Sequence, residues 1–148
     1  LARLDLAEKL EHQLEQSLQQ GAKLILGGER ENCNFQPTLI DFVNVDSVAF
    51  QEETFGPLAT VIRAKDENDA VTIANNHRYG LASSIWTKDL ENAFQLARKM
   101  EAGNVFVNSL VRSDSRVPFG GIKKSGYGRE LGTVGIKEFM NMKSLIIE

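Results

Sequence analysis

The start of the chain has the spacing of an amphipathic helix. Leucine recurs at every fourth position, at Leu6, Leu10, Leu14 and Leu18, and the positions between are mostly polar. Side chains four residues apart share one face of a helix, so this spacing predicts a helix with an apolar stripe. We expect it to run from Ala2 to about Gln19 and to stop at Gly21, because glycine favours helix ends.

Short apolar runs and further helical patterns alternate along the rest of the chain. Strands are predicted at residues 23–26, 37–43, 58–64, 82–86 and 104–108, helices at 67–76 and 89–100, and a polar loop at 29–34. The alternation from residue 58 onward predicts parallel strands joined by helical crossovers. The predicted fold class is therefore α/β, a mostly parallel sheet with flanking helices.

This alternation stops after Asn108. Residues 109–128 contain four glycines and two arginines that precede them, and a loop of this length inside a domain is usually functional or interfacial. A helix at 130–140 and a last apolar strand at 143–147 are predicted to follow. The last strand has no neighbouring strand to pair with, so we expect it to pair outside this chain.

The composition limits the partners that the chain can have. It has 148 residues, 42% of them hydrophobic and 25% charged, and a net charge of −3. Nucleic acid and anionic membranes require a dense basic patch, and no apolar run reaches the roughly 18 residues of a membrane helix. We expect neither partner. With one cysteine and no signal peptide pattern, a cytoplasmic location is expected.

Several residues that often carry chemistry are predicted to be structural here. Cys33 lies in the polar loop near Glu29 and Glu31, whose charges disfavour the thiolate that a nucleophile needs. His12 and His77 are far apart in the sequence, so they predict no metal site. The glycines at 126, 128 and 132 lack the spacing of a dinucleotide-binding loop and predict a turn-rich connector.

Glu53 and Phe55 are more informative, because they stand in the run Glu52–Pro57 directly before an apolar strand. A turn of this composition can project an acid and an aromatic side chain into a cleft. A carboxylate can accept hydrogen bonds from both hydroxyls of a ribose, and an aromatic ring can lie against a nicotinamide. The alternative is a turn with a buried Phe.

Four segments resemble, in order and spacing, motifs of the aldehyde dehydrogenase superfamily; they are Glu52–Pro57, Gly103–Asn108, Pro118–Lys123 and Ser125–Glu130. Tyr79–Ser84 also matches, so the resemblance covers nearly the whole chain. It implies oxidation of an aldehyde to an acid with NAD or NADP. It further implies that Glu53 holds the nicotinamide ribose, that Phe55 packs against the nicotinamide, that Phe119 lines the substrate tunnel, and that Asn108 starts the loop closing it.

The segment Val111–Arg116 suggests the substrate, since in this family it would line the substrate entrance. Its polar residues suit an aldehyde with a distal carboxylate. The amino-acid sequence of this region is most similar to that of bacterial succinate-semialdehyde dehydrogenases. Ser113 matches the position of a carboxylate-binding serine in those enzymes. The alternatives are a solvated loop and another small aldehyde.

The resemblance also implies that the catalytic machinery lies elsewhere. The family's nucleophilic Cys, its general-base Glu and its cofactor domain are expected upstream of this chain, so no catalytic residue and no metal site are assigned here. We expect residues 1–128 to be part of the catalytic domain and 129–148 to be a helix and an oligomerisation strand of a homo-oligomer. The chain alone is expected to be inactive. The alternatives are a non-catalytic module that binds a nucleotide or a subunit, and an α/β domain without a ligand.

Overall fold

The computed structural model describes residues 1–148 and divides them into two units, Leu1–Ile73 and Ala74–Glu148. The first unit contains α1 (Leu4–Gln19), β1 (Lys23–Leu26), β2 (Arg30–Glu31), β3 (Asn34–Phe35), β4 (Thr38–Asp41), α2 (Val48–Gln51), β5 (Leu58–Thr60) and most of α3 (Glu67–Asn75). The second contains β6 (Tyr79–Gly80), β7 (Ala82–Ile85), α4 (Leu90–Lys99), β8 (Asn104–Val107), β9 (Ile122–Lys123) and α5 (Gly132–Glu138). The predicted α/β class is confirmed. The functional division predicted after residue 128 stays a prediction.

The apolar core of the first unit is formed by α1, α2 and the sheet of β1, β4 and β5. Leu10 and Leu14 of α1 belong to one buried cluster with Ile40 of β4, Phe50 of α2 and Leu58 of β5. Burying each of these large side chains contributes about 1.5–3 kcal/mol. The apolar stripe predicted for the first helix is therefore its core-facing side, although the helix begins at Leu4 rather than Ala2.

Strand β4 is the middle strand of this sheet, antiparallel to β1 and parallel to β5. It ends at Asp41, because Phe42 adopts a left-handed φ of 57° that interrupts an extended strand. The strand is therefore shorter than the predicted 37–43. The exposed Phe42 ring lies beneath two cations, with Lys23 Nζ 4.7 Å and Arg63 Cζ 5.2 Å from its centroid.

The second unit contains the parallel crossover that the sequence predicts. Strands β7 and β8 pair in parallel from Ala82–Asn104 to Ile85–Val107, and α4 connects them. The Asp89 carboxylate caps α4 by accepting the backbone N–H of Asn92 at 2.9 Å. Of the buried apolar residues, only Ala93 lies in this unit.

The prediction of one mostly parallel sheet is not confirmed for this chain. The strands form one mixed three-stranded sheet and three two-stranded pairs; β2–β3 and β6–β9 are antiparallel, whereas β7–β8 is parallel. The predicted polar loop at 29–34 is wrong, because it contains the β2–β3 hairpin. Asn32 turns that hairpin with a φ of 53°, a conformation that asparagine tolerates well.

Two further local predictions need correction, and a third is not confirmed. Helix α2 is absent from the sequence-based prediction, since four residues carry too little periodicity. The long loop at 109–128 contains β9, which pairs with β6. Residues 143–147 form no strand in this chain and are exposed, because no neighbouring strand provides the hydrogen bonds that a strand needs.

Asp41 and Arg63 form the ion pair that fixes the end of β4. The Arg63 guanidinium donates to both carboxylate oxygens of Asp41, and the Phe42 N–H donates to the same carboxylate at 2.7 Å. Hydrogen bonds from Arg63 and then from Phe42 hold the pKa of Asp41 below its ordinary value of 3.8. A carboxyl with a lowered pKa stabilises the fold above pH 3.8, and this stabilisation is lost as the pH falls through the folded-state pKa.

We predict that Asp41→Asn lowers stability near neutral pH and flattens the loss of stability in acid. The measurement is the urea unfolding midpoint by circular dichroism at about pH 7 and about pH 3. Asp46→Asn is the matched control, since the Asp46 side chain makes no hydrogen bond or ion pair. Equal acid sensitivity of the wild type and Asp41→Asn would contradict this assignment.

Candidate functional site

Three polar side chains on one face of α1 dock helix α2 in the first unit. Gln13, Ser17 and Gln20, here called the α1 polar stripe, recur at i, i+4 and i+7. The Val48 N–H donates to Gln20 Oε1 at 2.9 Å, and the Ala49 N–H donates to Ser17 Oγ at 3.0 Å. The first N–H groups of a helix lack partners within the helix, so α1 supplies them from outside.

The third member of the stripe, Gln13, binds the residue that follows α2. Gln13 is 3% exposed, and its Nε2 donates to Glu52 Oε2 at 2.9 Å. The Glu52 backbone is fixed as well, because its N–H donates to Val48 O at 2.9 Å. The run Glu52–Pro57 therefore leaves α2 from a residue that is held by both its backbone and its side chain.

The other end of this run packs directly on α1. A side-chain carbon added at Gly56 would lie 2.5 Å from Leu10 Cδ2, so any other residue here would have to displace the Leu10 side chain. The Gly56 N–H donates to Thr54 O at 2.6 Å, which makes a three-residue turn with Phe55 at its apex. Beyond it, the Thr38 N–H donates to Pro57 O at 2.8 Å and joins the run to the sheet.

Glu53 and Phe55 are exposed, as are Glu52, Gly56 and Pro57 of the same run. Phe55 is 76% exposed, so the alternative of a buried Phe is wrong. The exposed Glu53 carboxylate makes no hydrogen bond or ion pair with the chain, whereas its neighbour Glu52 is bound to Gln13. The run thus presents one unoccupied carboxylate and one aromatic ring two residues apart on an anchored turn.

In the second unit, Asn108 closes the end of the β7–β8 pair. Its side chain exchanges two hydrogen bonds with the Thr87 backbone, since Oδ1 accepts the Thr87 N–H at 2.9 Å and Nδ2 donates to Thr87 O at 2.8 Å. Its own N–H donates to Ile85 O at 2.8 Å. With a φ of 50°, Asn108 then turns the chain out of β8 into the loop that carries Ser113.

The Pro118–Gly121 turn is held by backbone approach and polar contacts. A side chain at Gly103 would overlap the carbonyl of Gly120, so the two backbones touch. Asn104 Nδ2 donates to Gly120 O at 2.9 Å, and Arg129 Nη1 donates to Gly121 O at 2.8 Å. Phe119, which is half-buried, pairs with Glu130 through two 2.8 Å backbone hydrogen bonds.

Ser113 is exposed beside a tight ion pair. The Arg116 guanidinium binds the Asp114 carboxylate with a shortest distance of 2.6 Å, and the Arg116 N–H donates to the same side chain at 2.9 Å. These bonds hold the pKa of Asp114 well below its ordinary range. The charge of Arg116 is therefore compensated, whereas neither Ser113 nor Arg112 has a hydrogen-bond partner within the chain.

Comparison with known proteins identifies the family. The model of the aldehyde dehydrogenase family matches residues 1–145. The chain belongs to this family. It is 45% identical over 148 residues to the NAD(P)+ succinate semialdehyde dehydrogenase Sad of Escherichia coli, a match that covers 98% of this chain and 32% of that protein.

Two other members of the aldehyde dehydrogenase family are similar to this chain, one in sequence and one in structure. The chain is 41% identical over 143 residues to the lactaldehyde dehydrogenase of Methanocaldococcus jannaschii, which covers 95% of this chain and 30% of that protein. The structure of this chain matches that of succinic semialdehyde dehydrogenase from Streptococcus pyogenes, solved with NADP+, with a TM-score of 0.93. The two sequences are 35% identical, and the match covers 99% of this chain and 33% of the other. The chain thus spans about a third of the length of the curated relatives it matches.

Two open grooves of this aldehyde dehydrogenase chain lie beside the candidate residues rather than around them. An open groove of about 320 Å³ in the first unit borders Gly56–Ala59, and one of about 520 Å³ in the second lies between Ser115, Arg116 and α5. Neither is lined by Glu53, Phe55, Ser113 or Phe119. None of the helices is both long and apolar enough to cross a membrane.

Sequence reasoning missed the residues that anchor these segments. The α1 polar stripe had a readable signal, because polar residues at i, i+4 and i+7 flank the leucine face. The Asp114–Arg116 pair had only its two-residue spacing as a signal. The close approach of Gly103 to Gly120 joins positions far apart in the sequence, so one sequence carries no sign of it.

Proposed function

We propose that this chain is part of an NAD- or NADP-dependent aldehyde dehydrogenase that oxidises succinate semialdehyde to succinate. The observation that carries the proposal is the anchored run Glu52–Pro57, with Glu53 and Phe55 facing outward, in a member of the aldehyde dehydrogenase family. The 45% identity to a succinate semialdehyde dehydrogenase supports the substrate.

The first unit has the donors and acceptors that fit a nicotinamide nucleotide. A carboxylate without a partner in the chain can accept both hydroxyls of a ribose, and Glu53 is such a group. The exposed ring of Phe55 can pack against the nicotinamide face or edge. When bound, the oxidised nicotinamide accepts a hydride from the substrate, and the role of Glu53 and Phe55 is to orient it.

The second unit has exposed donors that fit the distal carboxylate of succinate semialdehyde. The Ser113 hydroxyl is exposed and unpartnered, and the guanidinium of Arg112 is exposed one residue away. Arg116 is a weaker candidate ligand, because Asp114 already occupies its guanidinium. Phe119, on the anchored Pro118–Gly121 turn, would line the tunnel that leads the aldehyde to the reaction centre.

The remaining parts of the proposal concern the longer protein. The parallel strand pairs β4–β5 and β7–β8 of this chain belong to a mostly parallel sheet of the catalytic domain. Residues 1–128 contribute to that domain. Residues 129–148 form the oligomerisation segment of a homo-oligomer, in which the tail 143–147 pairs with a partner subunit. The exposure of Leu145, Ile146 and Ile147, at 82–84%, supports this pairing. A cytoplasmic location agrees with the single cysteine.

Another small aldehyde is the alternative substrate. The 41% identity to a lactaldehyde dehydrogenase favours it, and lactaldehyde carries a hydroxyl beside its aldehyde group and has no distal carboxylate. The two substrates therefore make different demands on Ser113 and Arg112.

We predict that Glu53→Gln in the full-length enzyme weakens binding of NAD or NADP by about 10-fold, since hydrogen bonds to a charged group are worth about 1.5–3 kcal/mol. The measurement is the Kd by fluorescence titration. Glu31→Gln is the control, because Glu31 is exposed in β2 and its side chain has no partner. Unchanged cofactor affinity in Glu53→Gln would remove the proposed role of Glu53.

We predict that the 148-residue chain alone does not oxidise succinate semialdehyde. Its only cysteine, Cys33, lies in the β2–β3 turn, and no contact joins it to Glu53 or Phe55. The Cys33 carbonyl accepts a hydrogen bond from the amino group of Leu1 at 2.7 Å. The assay follows NADH or NADPH absorbance with the full-length enzyme as a positive control. Turnover by the chain alone would show that its own residues supply the nucleophile.

We predict that Ser113→Ala raises the KM for succinate semialdehyde by about 10-fold, because the carboxylate loses a hydroxyl donor. The KM for butanal, which has no carboxylate, should change less than about twofold. Steady-state kinetics with succinate semialdehyde, butanal and lactaldehyde make the comparison. An equal effect on all three aldehydes would exclude carboxylate recognition by Ser113.

A further inference from the structure

We propose that Gln13 is a positioning residue for cofactor binding: it binds the Glu52 carboxylate and so directs Glu53 outward toward the nicotinamide ribose. This inference rests on the proposed cofactor role of Glu53. It assigns a function to a buried residue of α1 that lies 40 positions before Glu53 in the sequence.

The burial of Gln13 requires a specific partner. Gln13 lies on the core side of α1 and is 3% exposed, as is the neighbouring Leu14, while Leu10 is 2% exposed. A buried amide without hydrogen bonds is costly. The 2.9 Å bond from its Nε2 to Glu52 Oε2 satisfies it with an ionised acceptor, which makes a stronger bond than a neutral one.

The contact with Gln13 separates two adjacent glutamates into different roles. Glu52 has an extended backbone, with φ −113° and ψ 153°, and successive side chains of an extended chain point to opposite sides. Because Gln13 holds the Glu52 side chain against α1, the side chain of Glu53 is directed away from α1. Without the Gln13–Glu52 hydrogen bond, rotation of the backbone at the end of α2 would allow either carboxylate to point away from α1.

The surroundings of Gln13 restrict the end of α2 to one position. Ser17 and Gln20 bind the N–H groups of Ala49 and Val48, so α2 cannot slide along α1 without breaking these bonds. Gly56 then meets Leu10 after four residues. Only residues 53–55 project between these two fixed points, and Gln13 sets where that projection begins.

A charge swap tests this inference in the full-length enzyme. Gln13→Glu places a second carboxylate beside Glu52 and should disrupt the contact, whereas Gln13→Glu with Glu52→Gln restores a donor–acceptor pair in the reverse direction. Gln19→Glu is the control, since it makes the same charge change on an exposed position of α1. The readouts are the Kd of NAD and NADP and amide hydrogen exchange of residues 52–58 without cofactor.

We expect Gln13→Glu to weaken cofactor binding at least fivefold and to accelerate exchange at residues 52–58, with less than a twofold change in the aldehyde KM. The double variant should return the Kd to within twofold of the wild type, and Gln19→Glu should match the wild type. If Gln13→Glu does not fold, Gln13→Met is measured in its place. This variant removes the donor without adding charge and should weaken cofactor binding in the same way.

Two results would overturn the inference. One is weaker cofactor binding in Glu53→Gln together with wild-type cofactor affinity in Gln13→Glu or Gln13→Met. This result would keep the cofactor role of Glu53 and show that Gln13 has no part in it. The other is an equal loss of cofactor and aldehyde binding without rescue in the double variant, which indicates a general structural role. If Glu53→Gln itself leaves cofactor affinity unchanged, the proposed function and this inference both fail.

Discussion

The position of the Glu52–Pro57 run depends on polar contacts made by one helix inside an otherwise apolar interface. Helix α2 has only four residues, and so short a helix is not stable by itself. The α1 polar stripe gives it partners for its first N–H groups and for the carboxylate at its end. Leu10 and Leu14 of α1 contribute to the buried apolar cluster, whereas the stripe supplies direction, because hydrogen bonds have fixed geometry and apolar contacts do not.

The second unit reaches a defined structure by a different route. It buries one apolar residue, Ala93, and its turns are held by backbone hydrogen bonds, by the Asn104 and Arg129 side chains and by glycines that let backbones touch. Glycine is needed at Gly103 for space rather than for conformational freedom, since its φ is not left-handed. The family motifs in this unit are thus largely motifs of close backbone packing, with Phe119 and the loop before it placed by that packing.

Regular elements were predictable wherever periodicity extended over several turns or a strand had clear bounds. The helices α1, α3 and α4, strand β1 and the β7–β8 crossover agree with the sequence patterns to within a few residues. Helix α2 and strand β9 were not predicted, because their existence depends on partners distant in sequence. Glu53 and Phe55 were identified from local composition and family resemblance. Gln13 was not, because the polar spacing of the α1 polar stripe does not show which of several glutamines on this helix is buried.

The two fixed points in the run Glu52–Pro57 restrict changes of length as well as changes of residue. Glu52 is bound by Gln13 and Gly56 meets Leu10, both on the same rigid helix, so the number of residues between these points is set by the distance along α1. Inserting or deleting one residue would either detach Glu52 from Gln13 or press a side chain against Leu10. Natural length variation in this family should therefore be absent between these two positions.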